Sequence, residues 1–137
     1  MTQTTLIPYL NFNGETQQAM KFYQQVLGGE LTLQRFKDAP GMPVPPGYEE
    51  KILHARLEAE GLVIMASEGK PGVQVKAGDN VHLSLNGTDA DKLTKVFNGL
   101  SAGGHVDMPL ARQFWGDTFG ALTDKFGIHW MVNVTKP

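Results

Sequence analysis

The sequence carries one pattern twice, and that repeat restricts the folds open to it more than any other feature. FYQQVLGGEL at 22–31 aligns with VFNGLSAGGHV at 96–106 with one inserted residue. Upstream of each lies a strand-like run closed by Asn-Gly, LIPYLNFNG and VHLSLNG, and downstream of each lie runs of strand character. A shared order over so many elements is more specific than a match of one helix to another, and repeats are the sequence mark of duplicated supersecondary units. Both halves read β, α, β, β, β, with module one at about 5–68 and module two at about 80–135 of a single domain spanning 1–137. One such unit cannot bury both faces of its sheet. The expected architecture is therefore α+β, with paired βαβββ modules forming a curved mixed sheet around a cleft and the helices outside.

In module one, LIPYLNF reads as a strand with Pro8 near its start, where a missing N–H is tolerated. From about Glu15 to Leu27, Ala19, Tyr23, Val26 and Leu27 recur at helical spacing with Met20 beside them, and Gly28-Gly29 stops the helix. ELTLQRFK alternates as a strand. DAPGMPVPPGYEE, at 38–50, concentrates proline and reads as a loop, with a lid as one possible role. KILHARLEA and LVIMAS are strands joined at Glu60-Gly61. In module two, VHLSLNG alternates so that His82, Ser84 and Asn86 share a face. Thr88 or Asp89 is placed to cap a helix with Leu93, Val96, Phe97 and Leu100 on its apolar stripe, ended by Gly103-Gly104, and a strand near 105–111 follows.

The ribbon RQFWGDTFGALTDKFGIHWMVNV, at 112–134, reads as a hairpin with FWGDTFGALT before the turn and IHWMVNV after it. Asp124-Lys125-Phe126-Gly127 has Asp first and Gly fourth, the pattern of a type I turn. After the turn, the period of two puts Ile128, Trp130, Val132 and Val134 on a core face and His129, Met131 and Asn133 on the other. A thioether, an amide and an imidazole together suit the wall of a binding site.

Composition narrows the functional classes. The formal charge of −2 comes from scattered residues with no basic run, which argues against nucleic acid as a partner. No apolar stretch approaches the roughly 20 residues of a membrane helix, and the first residues lack a signal-peptide pattern, so neither a membrane nor export is expected. The absence of cysteine fits a cytoplasmic location and rules out a thiol nucleophile. Neither a G-x-S-x-G elbow, nor a phosphate-binding glycine loop ending in Lys-Ser/Thr, nor a dinucleotide fingerprint occurs.

With PYLNFNG, FYQQVLGGE, VHLSLNG, FWGDTFG and DKFGIHWMVNV in this order, the chain resembles the vicinal oxygen chelate superfamily of glyoxalases, extradiol dioxygenases and bleomycin-resistance proteins. Within it, the chain is similar to the PhnB-like subgroup over essentially its whole length. The resemblance implies paired βαβββ modules around a cavity, a homodimer, and, in metal-dependent relatives, four ligands from the first and last strands of each module. Carried onto this sequence, those positions fall on His82, on Pro8 or Tyr9, on Met65 and on Met131. Proline cannot ligate, a neutral tyrosine ligates poorly, and thioethers suit soft copper(I) rather than magnesium, manganese or zinc. No cofactor is expected on this donor set. A divalent metal would have to be held by His82 with a replacement carboxylate such as Glu58, Glu60 or Glu68. A methyltransferase label borne by parts of the subgroup finds no glycine-rich nucleotide loop here.

The expected function is the binding of a small apolar or aromatic molecule in a metal-free cavity. Its expected lining is His82, Ser84, Met65, Trp115, His129, Met131 and Asn133. Two rivals stand beside this reading: a divalent-metal-dependent lyase, isomerase or dioxygenase using His82, and a dimeric interaction module with a relic pocket. His82 itself reads as a pocket-lining group, a metal ligand or a general base.

Overall fold

A computed structural model of the chain describes residues 3–39, 41 and 43–136. It divides into two compact units, Met1–Val75 and Lys76–Pro137. Each unit has one helix and one four-stranded sheet, in strand orders β1-β4-β3-β2 and β5-β8-β7-β6. In each, the first strand runs parallel to the last and the other pairings are antiparallel. The duplicated βαβββ order read from the sequence is therefore the order of the fold. No helix among the described residues is long and apolar enough to cross a membrane.

The first unit comprises β1 (Tyr9–Asn11), α1 (Thr16–Leu27), β2 (Glu30–Arg35), β3 (Ile52–Ala59) and β4 (Leu62–Ser67). Strand β1 is shorter than its sequence run, and β2 ends early in a 3-10 turn at Phe36–Asp38. The stretch 38–50 contains no strand or longer helix among its described residues; Pro40 and Met42 of that stretch lie outside them. Helix α1 buries Thr16, Ala19, Met20 and Tyr23. Val26 and Leu27, expected on the same stripe, are only half-buried. Thr16 replaces them because its hydroxyl donates to the buried Glu68 (2.8 Å), which also accepts from the Gly14 amide (3.0 Å) and the Ile52 amide (3.4 Å). A carboxylate at the start of a helix suits its dipole, and here it comes from the far end of the unit rather than from a local cap. That use makes Glu68 a structural group rather than a substitute metal ligand.

The second unit comprises β5 (Leu83–Gly87), α2 (Ala90–Ser101), β6 (His105–Arg112), β7 (Thr118–Thr123) and β8 (His129–Val134). Of the two possible caps, Asp89 holds the helix, accepting from the Lys92 amide at 3.1 Å. Leu93, Val96, Phe97 and Leu100 are its buried stripe, as their spacing requires. Phe97 sits so close to the sheet that a Cβ on Gly120 would lie 2.8 Å from its ring, which identifies the helix-covered face. Leu122, Trp130, Val132 and Val134 are buried. Phe119, Ala121, Thr123, His129, Met131 and Asn133 alternate with the helix-covered set and belong to the opposite face.

The sequence reading of the aromatic ribbon needs one correction. Residues 113–117 are not part of β7 but the turn joining β6 to β7, closed by the Gln113 amide on the Asp117 carbonyl (2.7 Å) and the Gly116 amide on the Gln113 carbonyl (3.0 Å). Gly116 takes φ +102°, a conformation that strands of L-residues do not adopt. Phe114 and Trp115 consequently stand at a turn, 97% and 51% exposed, rather than in a sheet. The Asp124–Gly127 turn is as read, with the Gly127 amide on the Asp124 carbonyl at 2.9 Å.

Candidate functional site

The face of the second sheet away from α2 gathers most of the expected site. Strand pairing places its side chains in rows. Ser84, Met131, Ala121 and Met108 form the middle row through successive register partners. Asn86, Asn133, Phe119 and Ala111 form the next. Beyond the other side of the middle row, His129, Thr123 and His105 are partners, and His82, just before β5, brings its ring to 5.3 Å from that of His129. His82, Ser84, His129, Met131 and Asn133 thus share one surface. Trp115 reaches it from the turn, its ring centroid 6.3 Å from that of Phe119.

Met65 is placed differently. It belongs to the first unit, where it pairs with Tyr9 on β1 and Arg56 on β3. The pairing Tyr9–Met65 occupies the same place in that sheet as Ser84–Met131 in the second, with first strand beside last in both. Tyr9 also approaches His54, its hydroxyl 3.4 Å from Nδ1.

The two histidines at one end of the site differ in availability. His129 is engaged at both ring nitrogens: Nε2 lies 2.8 Å from the Gly78 carbonyl and Nδ1 2.9 Å from the Thr123 hydroxyl. A carbonyl only accepts, so Nε2 carries a hydrogen. Thr123 in turn donates to Asp107 (2.7 Å), and His105 meets the other oxygen of that carboxylate at 2.9 Å. These bonds from Thr123 and then His105 hold the Asp107 carboxyl below its usual value. His129 is thus a tied residue that pins 78 to the sheet. The His82 side chain makes no hydrogen bond to another described residue and is exposed, so it is the histidine here able to meet a ligand.

At the other end, Asp117 fixes Asn133, whose Nδ2 donates to its carboxylate at 3.1 Å. Asp117, Asn86, Phe119 and Met108 were absent from the sequence-derived lining. For Asn86 the signal was present, since it alternates with His82 and Ser84. Asp117 and Phe119 lie in and just after a turn inside FWGDTFG, a run whose composition reads as continuous strand.

The donor chemistry does not fit a divalent metal centre. Where the first and last strands pair, the facing side chains are Tyr9 with Met65 and Ser84 with Met131. Among the described residues, no three His, Cys, Asp or Glu side chains come together in a way that could hold an ion. Hard cations require oxygen or imidazole donors in larger number.

Two duplicated βαβββ units, each pairing its first strand with its last, define a glyoxalase-type fold. Residues 6–132 match the family described as glyoxalase/bleomycin resistance protein/dioxygenase superfamily, and the chain belongs to that superfamily. It is 33% identical to Protein YjdN of Escherichia coli K12, covering 96% of this chain and 95% of that protein. The solved structure of protein PA1353 from Pseudomonas aeruginosa is similar with a TM-score of 0.88 and 38% identity, over 98% of this chain and 100% of that one. A PhnB protein from Bacillus cereus shares the fold at a TM-score of 0.70 and 20% identity, over 96% of this chain and 100% of that one.

Proposed function

We propose that this protein binds a small, flat, apolar or aromatic molecule without using a divalent metal, as a PhnB-like member of its superfamily and as a homodimer. The observation that carries the reading is the middle row of the second sheet. There, Met131, Ala121 and Met108 offer thioether and methyl surface beside the hydroxyl of Ser84, with further hydrogen-bonding groups on the flanks at His82, Asn86 and Asn133. Apolar contact area with a few polar groups for orientation is the general chemistry of a small-molecule site. Methionine adapts to varied ligand shapes through its flexible, polarizable side chain. A metal-assisted reaction at His82 would require at least two further donors, which the strand pairings do not supply.

The test is a thermal-shift screen of planar aromatic compounds against the wild type and Met131→Glu, with and without divalent ions. A ligand present at 100 times its Kd should add about 2.7 kcal/mol of stability to the wild type. Met131→Glu, which sets a charge in the middle row, should abolish the shift while leaving the unliganded melting temperature nearly unchanged. A stoichiometric divalent metal in protein purified without chelator, lost on His82→Ala, would instead establish the metal-dependent rival.

A further inference from the structure

The hydrogen bonds at one end of this surface specify the ligand further. Asn133 must turn its amide nitrogen to Asp117, because a carboxylate can only accept (Nδ2 to Oδ2, 3.1 Å). Its Oδ1 is therefore committed to the acceptor role, and it has no donor among the described residues. Asn86 is oriented by the same logic: Nδ2 faces the Ser84 carbonyl (3.4 Å) and hydroxyl (3.1 Å), leaving Oδ1 without a donor among the described residues. The two asparagines are register partners on adjacent strands, so their side chains stand roughly 5 Å apart. Beside them, Asp117 is half-buried and forms no ion pair with any described Lys or Arg. The ring of Phe119, register partner of Asn133 on its other side, and that of Trp115 complete the surroundings.

Three acceptor groups, one of them an anion with no ion pair among the described residues, next to two aromatic rings call for a compact cationic donor. We infer that the surface formed by Asn86, Asn133, Asp117, Phe119 and Trp115 binds an organic ammonium group carried by the apolar ligand proposed above, on which reading this inference rests. An ammonium has three N–H donors for three acceptors. Its charge is attracted to the carboxylate and to the aromatic faces. The apolar remainder of the ligand then lies along Met131, Ala121 and Met108, the adjoining row. A carboxylate or phosphate at this place would lie beside the Asp117 carboxylate and be repelled by its charge.

Calorimetric titration at neutral pH with naphthylmethylamine, naphthylmethanol and naphthoate tests the inference, because the three share an aromatic body and differ at the polar group. The amine should bind on the order of tenfold more tightly than the alcohol, and naphthoate more weakly than either. Asp117→Asn, which keeps an acceptor for Asn133 but removes the charge, should erase most of the amine's advantage and leave the alcohol within about twofold. Asn86→Asp, which adds a carboxylate at an exposed position, should raise affinity for the amine alone, a gain that misfolding cannot produce. Equal binding of amine and alcohol, or tighter binding of naphthoate, overturns the ammonium assignment and leaves the small-molecule reading standing. Binding of none of the three by a folded protein overturns both.

Discussion

Asp124→Ala lowers the stability of the protein by about 3–4 kcal/mol, with a fall in melting temperature of about 10 °C or more. Asp124 is 3% exposed, and its carboxylate accepts from two backbone amides and an indole N–H. Oδ1 takes the Phe126 amide (2.8 Å) and the Ile128 amide (3.1 Å), and Oδ2 takes the indole N–H of Trp130 (2.9 Å). Trp130 is 1% exposed, so its N–H has no recourse to water once the carboxylate is gone. A buried donor left unmade costs about 1–3 kcal/mol, and the substitution strands the indole N–H, releases two part-buried amides and opens a cavity under the turn. Asp124→Asn separates the contributions, since one amide oxygen can still receive the backbone while its NH2 opposes the indole. Urea unfolding measures both variants. An alanine midpoint equal to the wild type would mean that the turn, rather than this carboxylate, holds β7 to β8.

The second large effect concerns the glycine pairs that gave the duplication away. A Cβ built on Gly29 would lie 2.2 Å from the Glu58 carbonyl oxygen, and one on Gly104 would lie 2.3 Å from that of Thr123. Glu58 and Thr123 occupy matching places, each in the strand that pairs with the one after the helix. The second glycine of each pair is therefore where the chain, leaving its helix, passes against the neighbouring strand's backbone. Gly29 also takes φ +95°. Gly29→Ala is expected to cost about 3 kcal/mol or more, combining left-handed strain with displacement of backbone that cannot swing aside. Gly28→Ala is the control: its φ +77° and ψ −168° lie where essentially only glycine goes, but nothing lies within 4 Å, so strain alone remains, about 1–3 kcal/mol. Similar losses for the two alanines in denaturant unfolding would show that backbone conformation, not close approach, selects the pair.

The glycine pairs show both how far sequence reading carried and where it ended. Their recurrence at one offset, with an Asn-Gly turn and an amphipathic helix before each, was enough for the βαβββ order. Helix and strand faces are set by side-chain period, so Leu93, Val96, Phe97 and Leu100, and Trp130, Val132 and Val134, could be assigned to the core from spacing alone. The aromatic hairpin was legible in its turn but not in its extent. Phe114 and Trp115 have strand-forming side chains, whereas the bonds between Gln113, Gly116 and Asp117 close a turn around them. Propensity reports what a residue favours in isolation, and a few backbone bonds outweigh it.

From the residues alone followed the duplication, the α+β class, the apolar faces and the type I turn, because each depends on chemistry repeated at short, regular intervals along the chain. Only the folded chain decided that Glu68 would be used to anchor a helix start 52 residues away, that His129 would be tied at both nitrogens while His82 was left available, and that Asp117 would set which atom Asn133 presents. Those choices depend on which side chains from distant positions meet at hydrogen-bonding distance. No periodicity encodes that meeting, since it is fixed by strand register and by the requirement that buried polar atoms find partners.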